Sequence, residues 1–269
     1  MKPPAVDDPT LHLPRILCLH GGGTNARIFR AQCRKLIPQL ESDYRLVFAQ
    51  APFPSQAGSD VLSVYSEWGP FRRWLRWRPD HPLIEPEVIM REIDSALEDC
   101  MHQDDKCGAT GEWIALLGFS QGAKVSASLL YRQQVREGVL GRRMAGVRFR
   151  FGILIAGRAP LIALDPDRTL CPSLPDATQI TDLIEDAEAQ AYHNDGHILR
   201  IPTLHVHGRL DKGLHQHRRL FEEFCHPASR RLVEWDGDHR LPLKFNDVSL
   251  VVSQIREIAK QDIFNLNTI

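Results

Sequence analysis

No stretch of this 269-residue sequence comes near the ~20 consecutive apolar residues that a bilayer-spanning helix needs. The amino terminus, Met1 to Pro14, is polar and proline-rich and lacks the apolar centre of a secretory signal. It reads as a flexible segment ahead of the folded part. Six cysteines are scattered without a CxxC pair, so reduced thiols and a cytoplasmic location are the expectation, with Cys18 a small core residue. A net charge of −1 leaves little of the clustered positive charge on which nucleic-acid affinity rests. Neither nucleic acid nor membrane is therefore expected as a partner. Internal repeats and low-complexity tracts are absent as well.

What is present is an alternation. Near-continuous apolar runs at Ile16–Leu19, Leu46–Ala49, Trp113–Phe119, Phe149–Ile155, Thr203–Val206 and Arg231–Trp235 have the character of strands buried on both faces. Helical patterns separate them: Ala26 to Leu40, Pro86 to Met101, Gln121 to Arg136, Leu214 to Cys225 and Val248 to Lys260. Strand followed by helix, repeated, predicts an α/β fold with a mostly parallel sheet of about six or more strands and helices on both faces. One domain over residues 15–269 accommodates it. Two segments break the alternation, 52–86 and 159–202, the second acidic from Thr181 to Glu188. Both are candidate lids over a site, or else peripheral excursions.

The run Gly118-Phe119-Ser120-Gln121-Gly122 follows an apolar strand and opens a helix. A nucleophilic serine needs such a sharp strand-to-helix turn, with glycines two residues either side and helix N–H groups facing the developing charge. The same pattern also occurs as a plain serine cap at a glycine-rich turn. A phosphate-binding loop is excluded, because no Gly-Lys-Ser/Thr follows. About a hundred residues earlier, Leu19-His20-Gly21-Gly22-Gly23 offers backbone donors for an oxyanion, with Gly22 and Gln121 as the donor pair and His20 as a loop support.

Hydrolases of this fold order their acid and base after the serine. Asp211 follows the strand that ends at Gly208, and His239 lies in a short glycine-containing loop after the strand ending at Trp235. His239 is the expected base and Asp211 its acid, whereas Asp238 adjoins His239 and points elsewhere. Twelve histidines invite a metal reading. His205 with His207, and His215 with His217, form His-x-His pairs, but no nearby cysteine or carboxylate completes a site, so no metal or other cofactor is expected. His193 and His197 read as surface residues.

With Leu19-His20-Gly21, Gly118 to Gly122, Pro202 to Val206, Gly208, Asp211, and Gly237 to Pro242 in order, the chain resembles the FSH family of serine hydrolases, small α/β-hydrolases common in fungi and related to ovarian-cancer-associated protein 2. Phe29, Gln32 and Ala51-Pro52 extend the resemblance over residues from about Arg15 to Lys260. It departs at Gly22, often a bulky residue in that family. The resemblance implies acyl transfer to water through an acyl-Ser120 intermediate, without a cofactor. Family members include esterases and stand-alone thioesterases that release polyketides from the carrier domain of their synthase in secondary metabolism. A general carboxylesterase, an acyltransferase or cyclase, and a non-catalytic binding module are the alternatives.

Ligands in open α/β sheets lie beyond the carboxyl ends of the strands. Trp68, Phe71 and Trp74, with Trp77, are placed to wall such a pocket, although their spacing also suits ordinary packing of a short helix. The adjacent Arg72 and Arg73 could then meet an acidic substrate or a carrier domain.

Overall fold

The computed structural model describes residues 8–141, 147–165, 174–180 and 197–266. Six parallel strands form the sheet, in the order β2-β1-β5-β6-β7-β8. They are β1 (Arg15–Leu19), β2 (Arg45–Ala49), β5 (Trp113–Phe119), β6 (Phe151–Ile155), β7 (Thr203–Gly208) and β8 (Arg230–Trp235). All six coincide with the apolar runs of the sequence to within two residues at each end. The fold is α/β, as the alternation predicts.

Strand side chains alternate between two cores, as a pleated sheet covered on both faces requires. Leu17, Leu19 and Leu116 pack on one face with α4 (Pro86–Lys106) and α5 (Gln121–Leu140). Ile16, Cys18 and Leu117 pack on the other with Phe29 of α1 (Ala26–Gln32) and with Val248, Val252 and Ile255 of α7 (Phe245–Leu266). Helix α6 (Leu214–Phe224) adds Leu220 and Phe224 to the first core.

The helix expected from Ala26 to Leu40 is two helices, α1 and a single turn α2 (Ile37–Leu40). Pro38 sits in the first turn of α2, where its missing N–H is harmless; inside one continuous helix it would remove a hydrogen bond and clash with the preceding turn. Segment 52–86 has structure of its own, a two-stranded antiparallel pair β3 (Phe53–Pro54) and β4 (Arg72–Arg73) flanking α3 (Ser59–Tyr65). Main-chain bonds from Gly23 N to Arg72 O (2.9 Å) and from Arg72 N to Thr24 O (2.7 Å) tie this segment to the loop after β1. Segment 159–202 is described only in part, and the acidic run 181–188, His193 and Cys171 lie outside the described residues.

Of the amino-terminal segment, residues 1–7 lie outside the described residues. Residues 8–14 are tied down, since Arg45 Nη1 donates to Asp8 Oδ2 and Thr10 Oγ1, each at 2.6 Å. The same arginine donates to Asp104 through Nε and Nη2 (2.9 and 2.8 Å), and buried Arg15 reaches Asp104 Oδ2 at 3.3 Å. This ionic cluster clasps the amino-terminal edge of β1 and β2 to the end of α4. Removing one partner of a buried ion cluster leaves charge stranded. Asp104→Ala should therefore lower the unfolding free energy by ~3 kcal/mol, read by chemical denaturation, while turnover per folded molecule stays unchanged because the site lies at the opposite edge of the sheet.

Candidate active site

The loops at the carboxyl ends of β1, β5, β7 and β8 converge. Strand β1 neighbours β2 on one side and β5 on the other, which makes this edge the crevice where chain direction across the sheet reverses. Ser120 stands between β5 and α5 with φ 53° and ψ −116°, in the left-handed region that non-glycine residues rarely occupy. Packing holds it there. A Cβ on Gly118 would lie 2.4 Å from Gly122 O, and one on Gly122 would lie 2.1 Å from Leu19 O. The two glycines let the elbow press against its own next turn and against β1, and the main chain has room for no other course.

Ser120 Oγ lies 2.9 Å from His239 Nε2, and His239 Nδ1 lies 2.6 Å from Asp211 Oδ2. Asp211 Oδ1 also accepts from Gly213 N at 2.8 Å. Burial opposes ionisation of Asp211, but the bond from His239, its charge and the Gly213 N–H outweigh burial and lower the carboxyl pKa to about 2. A hydroxyl, an imidazole and a carboxylate in this line can pass the Oγ proton to the ring while the carboxylate stabilises the cation. Asp238 turns away to Arg240, at 3.4 Å.

Gly22 and Gln121 border the same space beside Ser120. Gln121 is the first residue of α5, so its backbone N–H has no acceptor within the helix. His20 is fully buried behind them. Its Nδ1 bonds Gly21 O (2.8 Å), and its Nε2 accepts from Ala51 N (3.1 Å). Burial lowers its pKa to about 4 and keeps the ring neutral, fit to support the loop.

The family model described as Serine hydrolase (FSH1) matches residues 10–250. The chain belongs to this family of serine hydrolases. Among curated relatives it is 72% identical over 256 residues to esterase claE of Penicillium crustosum, covering 95% of this chain and 96% of that one. It is 65% identical over 257 residues to esterase citA of Monascus ruber (95% and 96% covered), and 53% identical over 258 residues to esterase pigG of the same organism (95% and 94%).

In this serine hydrolase a cavity of about 210 Å³ opens on Ser120 and His239. Its aromatic wall differs from the expected one. Trp77 lines it, next to Leu75 and Arg76, whereas Trp68, Phe71 and Trp74 do not. Trp74 is wholly buried and donates from Nε1 to His20 O at 2.9 Å, which makes it a prop for the loop after β1. Trp68 stacks under the Arg27 guanidinium, 4.1 Å from ring centre, and packs edge-on against Tyr65. Phe71 is half-buried beside Gly69. The arginine pair also lies elsewhere than expected: Arg73 is buried over the Phe53 ring, and Arg72 donates to Pro52 O. The cations that do line the cavity are Arg76, Lys124 and Arg158.

Gln121 makes a second contribution, through its side chain. The Gln121 side chain accepts from Trp74 N (2.8 Å) and Leu75 N (3.2 Å) and donates to Leu75 O (3.1 Å). It clamps the cavity wall to the Ser120 turn. The only signal of it in the sequence is an amide at the first position of a helix. Gln121→Leu should keep the backbone donor, lose all three side-chain bonds and cut kcat/KM about tenfold or more, chiefly through KM, in steady-state ester hydrolysis.

The remaining histidines divide by secondary structure. His205 and His207 share a face of β7 and are buried against Phe221. His215 and His217 lie on a helix, where residues two apart diverge: His215 is exposed and His217 wholly buried. His197, expected at the surface, is buried with Nδ1 2.9 Å from Tyr131 Oη. Its apolar surroundings and a hydroxyl partner account for that.

Proposed function

We propose that this serine hydrolase cleaves a carboxylic ester or thioester through an acyl-Ser120 intermediate. The reading rests on one observation above the others, the continuous line from Ser120 Oγ through His239 to Asp211 at 2.9 and 2.6 Å. Ser120 Oγ attacks the carbonyl carbon as His239 Nε2 takes its proton, and Asp211 holds the resulting imidazolium. The backbone N–H groups of Gly22 and Gln121 receive the oxyanion, helped by the amino terminus of α5. Collapse expels the alcohol or thiol, which takes the proton back from His239. Water then enters, gives a proton to His239 and attacks the acyl carbon; as the acyl–Oγ bond breaks, His239 returns that proton to Ser120 Oγ and the acid leaves.

The name esterase, carried by relatives 72% and 65% identical, supports an oxygen ester as the bond cleaved. A thioester borne by the phosphopantetheine arm of a carrier domain, as in polyketide release, is the second reading. Arg76, Lys124 and Arg158 in the cavity wall favour it, since each carries the sign that an arm phosphate needs.

A fluorophosphonate probe should label the folded protein at Ser120 alone, as read by peptide mapping; absence of that adduct removes the proposal. Ser120→Ala and His239→Ala should each lower kcat by on the order of 10⁴-fold or more, and Asp211→Asn by somewhat less, because its part is orientation and charge. Rates on p-nitrophenyl esters of graded chain length, set beside N-acetylcysteamine thioesters of the same acids, separate the two readings.

A further inference from the structure

His217 has no part in the reaction just described, yet it is one of the most completely buried polar side chains near it. Its Nε2 lies 3.7 Å from Asp211 Oδ2, the oxygen that His239 also addresses. Its ring centre is 5.9 Å from that of His239, tilted 33°, and 5.5 Å from that of His207. Among the described residues neither nitrogen of His217 or His207 has a hydrogen-bond partner. An aliphatic side chain would fill the same volume without burying two unpaired polar atoms. Polarity at this point therefore needs a recipient, and the polar group that Nε2 faces is Asp211. That carboxylate, its side chain 1% exposed, accepts from two donors among the described residues, Gly213 N on Oδ1 and His239 Nδ1 on Oδ2, although an ionised carboxylate offers about four acceptor sites.

We propose that His217 is a positioning residue for Asp211: its neutral ring turns Nε2–H on Oδ2 and keeps the carboxylate ionised and aimed at His239 while His239 carries the serine proton. The inference rests on the roles of Ser120, His239 and Asp211 proposed above. Burial holds the His217 ring neutral, lowering its pKa to about 3 against the opposing pull of Asp211. The charged and titratable groups facing it are Asp211 from the loop after β7, His207 from β7, His239 from the loop after β8, and Arg158 from the loop after β6. His207 faces Glu234 and Arg218 in turn and is itself kept neutral by burial, its pKa lowered to about 4. Packed behind His217, it stops the ring from turning away.

The sign of the effect follows from the donor. Without an N–H on Oδ2, Asp211 becomes the more basic group and holds the imidazolium proton harder. The base then stays protonated to higher pH and returns its proton to the leaving group more slowly. His217→Phe should move the acid limb of the kcat/KM–pH profile upward by about half a unit to one unit and lower kcat about tenfold, with KM little changed. His217→Gln, which keeps an N–H, should restore the limb to its wild-type position and most of kcat. An unmoved limb in the Phe variant, or equal movement in both variants, overturns the proposal. Imidazole nitrogen NMR of the wild-type protein tests it without any substitution. A neutral Nε2–H tautomer at His217 supports it, and an Nδ1–H tautomer or a cationic ring at neutral pH overturns it. Failure of the wild type to label at Ser120 or to hydrolyse p-nitrophenyl butyrate would instead overturn the reaction itself, and this inference with it.

Discussion

The contact between the Ser120 turn and β1 is the constraint from which the rest of the site follows. Gly122 presses on Leu19 O and Gly118 on the first turn of α5, at separations that admit no side chain. Held from both sides, the turn has one course, and that course carries Ser120 into a left-handed conformation with Oγ above the sheet edge. Strain of this kind costs ~1–3 kcal/mol and persists only where surrounding structure over-determines it. Here two layers over-determine it, the parallel pairing of β5 between β1 and β6 and the burial of α5 along the first core. The helix that begins at Gln121 is thereby aimed at the serine, so Ser120 and the helix terminus are placed by a single event of packing.

A second consequence concerns the walls. The loop after β1 must approach Ser120 closely, and a glycine-rich loop does not hold its own shape. Its rigidity comes from outside, from His20 bonded to Gly21 and Ala51, from Trp74 bonded to His20 O, and from Arg72 paired with Gly23 and Thr24. Two of these supports belong to segment 52–86. That segment is therefore a buttress as much as a cover, and the Gln121 amide couples it directly to the turn that holds Ser120. Displacing Leu75 would disturb the cavity wall and the turn at Gln121 together.

These layers were unequally legible in the sequence. The four inner strands could be read because each is buried on both faces and so has no polar alternation to confuse it, and the half-buried edge strands β2 and β8 because each stands as a short run between helical patterns. The approach of Ser120, Asp211 and His239 could be read because each follows the end of a strand, and parallel strands present their ends at one edge. The pair β3 and β4 could not, since strands of two residues have no period. The choice of Trp77 over Trp74 for the cavity could not either. It is decided by hydrogen bonds from residues 46 and 54 positions away in sequence, and composition carries no trace of them. The same limit applied to His217, whose partner in sequence was His215 and whose partners in space are Asp211 and His207.

Polar groups are distributed along the sheet in a way that separates stability from chemistry. At the amino-terminal edge, buried Arg15 and Asp104 and half-buried Arg45 are mutually satisfied, and their contacts join β1, β2 and α4. At the carboxyl edge the buried polar groups are incompletely satisfied: His207 and His217 have no hydrogen-bond partner among the described residues, and Ser120 holds a strained backbone. Each such feature subtracts ~1–3 kcal/mol from the folded state. A chain selected for stability alone would replace them with aliphatic side chains and a relaxed turn. His217 faces Asp211 at 3.7 Å and Ser120 bonds His239 at 2.9 Å, so both features adjoin the Asp211–His239 pair. The cores on both faces and the ionic clasp at the far edge supply the stability that offsets them.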